Sequence, residues 1–296
     1  ETRLENLYFL KRLRGVLDEY NAAAVGEIGD DLRGMEILGE YTRGADHLQM
    51  SYAFALLSEK APTAQYIKQV MDQVAEVAGD GWACWAFSNH DVARHISRWH
   101  IPESAARMYA TLMMCLRGSA CIYQGEELAL PEAELAFEDL QDPYGIQFWP
   151  AFKGRDGCRT PMVWDPSAHH GGFTTGQPWL PVSYEHLKHT VTDQERDPAA
   201  ILHHYRRAIA FRHAHSALMK GDMIDIETEG NVLRFIRKNG AEELFCAFNI
   251  SPEPSVIDAP GGDWQQVGVE LGSAGPAPDE KLHLGPWQPV MALRHS

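Results

Sequence analysis

The sequence contains few cysteines, and none of them forms a CxxC pair. An odd number of cysteines without paired spacing argues against a disulfide scaffold. We therefore expect reduced thiols in a cytoplasmic protein. The five cysteines are Cys84, Cys115, Cys121, Cys158 and Cys246.

Basic residues are also scarce, because 26 lysines and arginines face 41 acidic residues and the net charge is −15. Nucleic acids and anionic membrane surfaces attract basic patches, so we expect neither as a partner. Arg107 and Arg117 interrupt the most apolar segment, and no run of 18 apolar residues occurs. We therefore expect no membrane-spanning segment. A neutral ligand such as a sugar is compatible with this charge.

No motif for a metal or a cofactor stands out, although the chain has fourteen histidines. Neither an HExxH helix nor a glycine-rich phosphate loop occurs. Adjacent histidines such as His169 and His170 would point to different faces of a helix, so solvated surface is the simpler explanation. We expect no metal and no cofactor.

The first 130 residues alternate short apolar strands with amphipathic helices. This alternation predicts an α/β fold, with a parallel sheet and crossover helices. Leucines at helical spacing from the first residues onward predict that the chain begins at or inside a helix, as the later part of something longer. Strands are predicted over 22–29, 47–54, 82–91 and 119–124, helices over 62–78 and 102–116, and a polar connection over 30–45.

Beyond residue 130 the pattern changes twice. Residues 131–195 form a long irregular segment rich in proline, glycine and aromatic residues, and long ordered connections are usually functional. A helix over 198–213 is followed by short alternating segments, which are typical of an antiparallel, sandwich-like β domain. We predict two domains: residues 1–217, with an active-site insertion at about 131–195, and residues 218–296.

Only four strand–helix units precede the β domain, whereas a closed (β/α)8 TIM barrel needs eight. The first domain is therefore predicted to be the C-terminal half of such a barrel. Its open sheet edges would require a partner, which we expect to be the N-terminal barrel half, from the same parent chain or a companion fragment.

The segment over 82–91, WACWAFSNHD, is an apolar strand that ends in Ser88, Asn89, His90 and Asp91. Barrel enzymes place their catalytic side chains at the carboxyl ends of strands. The alternative is a strand followed by an ordinary polar turn, and composition alone leaves the two equally open.

Four further motifs accompany this segment, in the order found in the α-amylase superfamily of retaining glycoside hydrolases. The resemblance covers essentially the whole chain and is closest to the bacterial α-glucosidases and oligo-1,6-glucosidases. The five motifs are GEIGDD over 26–31, FSNHD over 87–91, YQGEELAL over 123–130, QDPYG over 141–145 and GRDGCRTPMVW over 154–164.

The resemblance implies a role for five residues. Glu27 matches the general acid/base and Asp91 the carboxylate that grips sugar hydroxyls in the −1 subsite, where His90 donates a hydrogen bond. Arg155 would orient carboxylates there, unless it is a surface arginine. Phe54 matches an aromatic wall at the +1 subsite, for which core packing is nearly as good an explanation. Arg159 is interpreted as tying down its own loop.

One departure from the family pattern concerns the mechanism. The superfamily's nucleophile is an aspartate in a GFRxD motif at the fourth barrel strand, and this sequence has no such motif. We therefore expect the isolated chain to be inactive.

The resemblance implies α-glucosidase-type hydrolysis of short α-linked gluco-oligosaccharides from the non-reducing end, with retention of configuration. One alternative is a transglucosylase or isomerase of the trehalose synthase or sucrose isomerase type. Another is a truncated, non-catalytic partner chain, which the missing nucleophile favours and the presence of Glu27, His90 and Asp91 together opposes.

Overall fold

The computed structural model describes residues 3–30, 33–275 and 281–295, so the last residue of the GEIGDD motif, Asp31, lies outside the described residues. The helices are α1 (Leu4–Glu19), α2 (Gly34–Thr42), α3 (Ala64–Ala78), α4 (His95–Arg98), α5 (Glu103–Cys115), α6 (Pro143–Phe148), α7 (Val191–Arg196), α8 (Ile201–Ala214) and α9 (Ser216–Lys220). The strands are β1 (Val25–Gly26), β2 (Met50–Ala53), β3 (Ala83–Trp85), β4 (Ser119–Ala120), β5 (Asp222–Glu229), β6 (Val232–Asn239), β7 (Glu242–Asn249), β8 (Ser255–Asp258), β9 (Gln265–Val267), β10 (Lys281–Leu284) and β11 (Pro289–His295).

The first four strands form one sheet in the order β1-β2-β3-β4, and every neighbouring pair is parallel. Tyr52 on β2 lies opposite Cys84 on β3, which fixes the register of the two central strands. The predicted parallel sheet with crossover helices is confirmed. Because all four strands run the same way, their carboxyl ends meet at a single edge of the sheet.

One face of this sheet packs against α3 and α5. The hydroxyl of Thr63 caps α3 by accepting the amide N–H of Tyr66 at 3.1 Å. The helix then buries Ile67, Val70 and further residues at helical spacing in the main core, which also holds side chains of the central strands.

The opposite face of the sheet is only partly covered. Here the Tyr52 hydroxyl lies 2.9 Å from the Cys121 Sγ, and Trp82 Nε1 donates to the Ser119 hydroxyl at 3.0 Å. These four side chains are half-buried, and Val25 on the edge strand is exposed. Alternation along each strand thus separates a buried helix-facing side from an accessible inner side.

The residues after α9 form an antiparallel five-stranded sheet in the order β5-β6-β7-β11-β9, with a two-stranded sheet of β10 and β8 beside it. Strand β7 is buried on both faces. Its Phe248 belongs to the main core around α5, whereas Phe245 and Ala247 pack with Ile257 and Leu282 of the smaller sheet. One continuous core therefore joins the β strands to the helices of the parallel sheet.

Two details of the predicted fold differ from the structure. The predicted polar connection over 30–45 contains helix α2, which buries Ile37 and Leu38 and packs against α3. Gly39 allows this close approach, because a Cβ there would lie 2.6 Å from the Val77 carbonyl oxygen. The parallel strands are also shorter than predicted, and the first and last of them, predicted over 22–29 and 119–124, consist mostly of exposed or half-buried residues.

The segment over 131–195 is ordered by short helices and turns rather than by a sheet. It contains α6, α7 and several 3-10 turns, and it buries Leu140, Val163 and Leu180. Elsewhere it exposes large aromatic side chains. In the part of the chain that the structure describes, no helix combines the length and apolarity needed to cross a bilayer.

Candidate functional site

Four of the five predicted site residues follow directly from strands of the parallel sheet. Glu27 comes immediately after β1, Phe54 immediately after β2, and His90 and Asp91 soon after β3. They therefore lie along one edge of the sheet, where parallel strands present their carboxyl ends. Arg155 reaches this edge from the 131–195 segment, as its contacts demonstrate.

Asp91 is held by two arginines. Its Oδ1 accepts a hydrogen bond from Arg155 Nη1 at 2.9 Å and another from Arg159 Nη2 at 3.0 Å. Its other oxygen, Oδ2, lies 3.5 Å from His90 Nε2. The Asp91 side chain is 40% exposed and that of His90 62%. One oxygen is thus fixed in place, while the other faces an open position beside an imidazole.

Arg155 is itself anchored by a buried carboxylate. Asp142 has a fully buried side chain, and it accepts hydrogen bonds from Arg155 Nε at 2.9 Å and Arg155 Nη2 at 3.0 Å. This two-point contact fixes the plane of the guanidinium. Hydrogen bonding to Arg155 holds the pKa of Asp142 well below its ordinary value, and the same contact raises the pKa of Arg155.

The loop around Asp142 is rigid for local reasons. The buried carboxylate of Asp156 accepts the amide N–H groups of Gln141 and Asp142 at 2.6 and 2.7 Å. Gly145 packs against the backbone of 153–154, where an added Cβ would lie 2.7 Å from the Lys153 carbonyl oxygen. The chain segment that carries Arg155 therefore has little freedom to shift relative to α6.

We expect the Asp142→Asn variant to unfold about 2 kcal/mol more easily than the wild type at pH 7, because it loses a charge-assisted, two-point contact. The pKa of Asp142 is depressed in the folded state, so its contribution is fully present above its ordinary value of 3.8 and is lost as the pH falls through the lowered value. Urea unfolding should therefore give a difference in unfolding free energy between the two proteins that is constant at neutral pH and narrows only as the pH falls below 3.8.

The matched control is Asp139→Asn, which changes an exposed carboxylate in the same segment and should alter stability by less than about 0.5 kcal/mol. If the difference in unfolding free energy between the wild type and Asp142→Asn grew toward acid pH, this result would contradict the assigned ion pair.

Arg159 makes one contact in the site more than the sequence predicted. Its Nε donates to the His90 carbonyl oxygen at 2.7 Å, which joins its loop to the loop after β3 as predicted. Its Nη2 also donates to Asp91. The 3-10 turn over 156–159 separates Arg155 and Arg159 along the chain, and both guanidinium groups reach Asp91. No local pattern in GRDGCR indicated this second contact.

A buried network supports the turn that carries His90 and Asp91. The Ser88 hydroxyl accepts the His95 amide N–H at 2.9 Å, and the His95 Nδ1 lies 3.1 Å from Glu126 Oε1. Both of these ionisable side chains are almost completely buried. Asn89 Oδ1 then accepts the Asp91 amide N–H at 2.9 Å. The turn is therefore held both by the buried contacts of Ser88 and His95 and by the side chain of its own residue Asn89.

Glu27 and Phe54 lie on the other side of the same edge. The Glu27 side chain is exposed, and its charge contributes to the raised pKa of Tyr52 on β2. The larger cause of that raised pKa is the hydrogen bond to Cys121. Phe54 is half-buried, with its ring centroid 6.0 Å from that of Tyr52, and it lines a cavity of about 390 Å³ with Ile28.

The structure thus brings His90, Asp91 and Arg155 into direct contact and groups Glu27 with Phe54 through Tyr52. Among the described residues, no hydrogen bond or ion pair joins Glu27 to Asp91.

Cys121, which the sequence analysis did not single out, lies at the inner face of the sheet, and hydrogen bonds with Cys84 and Tyr52 lower its pKa to about 6. Over the described ranges, no group of three or more histidine, cysteine, aspartate or glutamate side chains could hold a metal ion.

A parallel sheet with crossover helices and a carboxylate gripped by two arginines at its carboxyl edge is the arrangement expected of a barrel-type glycosidase. The family model described as the α-amylase catalytic domain matches residues 3–221, and the chain belongs to the α-amylase family. The resemblance inferred from the five motifs is confirmed.

Among curated sequences, a probable alpha-glucosidase of Rhizobium meliloti (strain 1021) is 56% identical over 267 residues, covering 88% of this chain and 48% of that protein. An oligo-1,6-glucosidase of Heyndrickxia coagulans is 30% identical over 294 residues, covering 85% of this chain and 52% of that protein. The chain spans about half the length of the curated relatives it matches.

Among solved structures, the alpha-glucosyl transfer enzyme XgtA superposes with a TM-score of 0.92 at 43% identity, over 99% of this chain and 55% of that one. The trehalulose synthase MutB of Pseudomonas mesoacidophila MX-45 superposes with a TM-score of 0.81 at 25% identity, over 97% of this chain and 58% of that one. The family fold therefore extends through both the parallel sheet and the β strands.

Proposed function

We propose that this chain supplies the general acid/base and the sugar-binding carboxylate of a retaining α-glucosidase acting on short α-linked gluco-oligosaccharides. The observation that carries the proposal is the geometry of Asp91. Two arginines hold its Oδ1, while Oδ2 faces an open position beside His90. A carboxylate oxygen and an imidazole N–H at hydrogen-bonding range suit two adjacent sugar hydroxyls.

In the first step, a nucleophilic carboxylate attacks the anomeric carbon while Glu27 donates its proton to the glycosidic oxygen. The bond between the anomeric carbon and that oxygen breaks, and its electron pair leaves with the departing sugar, which is released as an alcohol. In the second step, water attacks the anomeric carbon and gives its proton to Glu27, and the carboxylate ester bond breaks. Two displacements at one carbon restore the α configuration.

Asp91 and His90 serve both steps by binding the hydroxyls of the sugar in the −1 subsite. A hydroxyl becomes more acidic as positive charge develops on the ring, so its hydrogen bond to a carboxylate strengthens in the transition state. Arg155 and Arg159 hold Asp91 in its orientation through Oδ1 and leave Oδ2 unoccupied by either guanidinium. We propose that Phe54 forms an aromatic wall on the leaving-group side.

We propose that the nucleophile comes from a polypeptide segment with the first barrel strands, joined to this chain or supplied as a companion. The sequence has no GFRxD motif, and the inner sheet face carries half-buried Tyr52 and Cys121 beside exposed Val25. In this proposal, residues 1–217 are the C-terminal half of the barrel and 218–296 are the C-terminal all-β domain, which shares a core with it. The five free cysteines favour a cytoplasmic setting.

Transglucosylation is the second candidate, favoured by the likeness to the alpha-glucosyl transfer enzyme and the trehalulose synthase. In this reaction a sugar hydroxyl replaces water in the second step, with the same residues in the same roles. Product analysis on maltose and sucrose separates the two reactions, because hydrolysis releases glucose whereas transfer gives new disaccharides or trisaccharides.

The test is hydrolysis of p-nitrophenyl α-glucoside by the purified 296-residue chain, with and without a companion polypeptide that carries the first barrel strands. Intact mass is recorded in parallel. We expect turnover only with the companion. Turnover by a chain of the correct mass alone would overturn the proposed origin of the nucleophile, and no turnover in either preparation would favour a non-catalytic partner.

A further inference from the structure

The short helix α4 follows the turn that carries the sugar-binding carboxylate, and buried contacts fix it to the end of β4. The His95 Nδ1 lies 3.1 Å from Glu126 Oε1, and the guanidinium of Arg94, the N-cap residue of α4, donates to the Gln124 carbonyl oxygen. Gln124 and Glu126 come soon after β4 along the chain. Because Arg94 and His95 are almost completely buried, α4 has little freedom to move relative to the sheet.

The last residue of α4, Arg98, connects this helix to two strand ends. Its Nε donates to the Ser58 carbonyl oxygen at 2.9 Å, and its Nη2 donates to the Phe87 carbonyl oxygen at 2.7 Å. Its Nη1 donates to the Ala93 carbonyl oxygen. Ser58 lies in the loop after β2, whereas Phe87 and Ala93 stand on either side of the turn after β3. One guanidinium therefore joins the two loops.

These two loops carry different parts of the proposed site. Phe54 begins the loop that contains Ser58, and Asp91 lies within the turn whose two ends Arg98 holds. A guanidinium is planar and its donors have a fixed geometry, so it sets the distance between the carbonyl oxygens that it joins. Trp99 Nε1 donates to the same Ser58 carbonyl oxygen at 2.8 Å, so two consecutive side chains hold this loop against α4.

We propose that Arg98 is a positioning residue that sets the separation between Asp91 and Phe54. This inference rests on the proposed function, in which Asp91 binds the −1 sugar and Phe54 lies on the leaving-group side. Arg98 acts through the two loops and not by contact with a sugar. A misplacement of about 1 Å can cost roughly 100-fold in rate. A substrate with a leaving sugar depends on this separation, whereas one with a single-atom leaving group does not.

The ratio of kcat/KM for maltose to kcat/KM for α-glucosyl fluoride tests this role in the active preparation. Arg98→Lys keeps the charge, but one ammonium replaces donors on three nitrogen atoms and cannot hold all three carbonyl oxygens. We expect the ratio to fall about tenfold. Partial misfolding lowers both values equally and cancels in the ratio. The matched control is Arg206→Lys, which changes an exposed arginine paired with Glu195 and should leave the ratio unchanged.

A double-mutant cycle with Phe54→Ala distinguishes positioning from a general structural role. Phe54→Ala removes the aromatic ring and should lower the ratio about fivefold by itself. Because Arg98→Lys already displaces this ring, the double variant should fall no further than the weaker of the two single variants. A double variant whose loss equals the product of the two single losses would overturn the positioning role, and so would an unchanged ratio in Arg98→Lys.

Hydrogen exchange in the 296-residue chain tests the same contacts without turnover. In Arg98→Lys, the amide groups over 54–58 and 87–93 should exchange about tenfold faster than in the wild type, and Arg206→Lys should exchange like the wild type over both segments. Unchanged exchange over either segment in Arg98→Lys would overturn the proposal. Fluoride turnover with an unchanged ratio rejects the role of Arg98 alone, whereas absence of fluoride turnover in the wild type rejects the proposed function.

Discussion

Replacing Glu27 with glutamine should lower maltose hydrolysis by about 10³-fold, because general acid catalysis of this kind contributes roughly 10²–10⁴-fold. The loss should depend on the leaving group. Maltose releases a sugar alcohol that needs a proton, whereas α-glucosyl fluoride releases fluoride with much less need of one. We therefore expect the first step on the fluoride to fall far less than the first step on maltose. Rates are measured on the active preparation with both substrates.

The matched control is Glu76→Gln, which changes an exposed glutamate on α3. It should leave both rates within twofold of the wild type. If Glu27→Gln lowered both rates equally, the residue would have a general binding or structural role. If the variant kept full activity on maltose, the acid/base assignment would be wrong.

The Asp91→Asn variant should lose about 10²–10³-fold in kcat/KM for every substrate, whatever its leaving group. Asparagine keeps the size of the side chain and one acceptor oxygen, but it removes the charge that strengthens the hydroxyl contact in the transition state. Because the loss in kcat/KM should not depend on the leaving group, it distinguishes the role of Asp91 from that of Glu27. The same two substrates, compared side by side, provide the measurement.

Asp72→Asn is the control for this variant, since Asp72 pairs with Lys68 on the exposed side of α3. It should have no effect on kcat/KM. A loss in Asp91→Asn that appeared only with poor leaving groups would contradict its assignment as the sugar-binding carboxylate. Unfolding midpoints of both variants would exclude misfolding as the cause of any loss.

The sequence was most informative where chemistry follows an apolar strand. His90 and Asp91 stand just beyond a buried segment and Glu27 just beyond a short apolar one, so local pattern and motif together predicted the edge at which they lie. Strand ends were less predictable, because pairing in β1 and β4 covers only two residues each. Most residues of these two edge segments are exposed or half-buried, so hydrophobic periodicity overestimated both their length and their burial.

Contacts between distant segments could not be read from local pattern. Helix α2 resembles a polar connection because its buried side is narrow, and packing against α3 and β2 stabilises it. No local pattern in QDPYG indicates a role for Asp142, yet its buried carboxylate orients Arg155, thirteen residues later. Arg159 anchors its loop as predicted, but its contact with Asp91 joins segments that are 68 residues apart, and no local pattern reveals it.

The same limit applies to the 131–195 segment as a whole. Aromatic residues are frequent there, and no local pattern distinguishes Tyr144 from Trp179 or the others. Only the folded chain places Arg155 between Asp142 and Asp91, with its guanidinium over the Tyr144 ring.

The most direct test of the central claim is the configuration of the first product. The active preparation is mixed with maltose, and the anomeric proton of the glucose released from the non-reducing end is followed by NMR before mutarotation. Two displacements, with Glu27 as acid and then base, predict that α-glucose appears first. Initial release of β-glucose would mean a single displacement and would contradict the retaining mechanism assigned to this site.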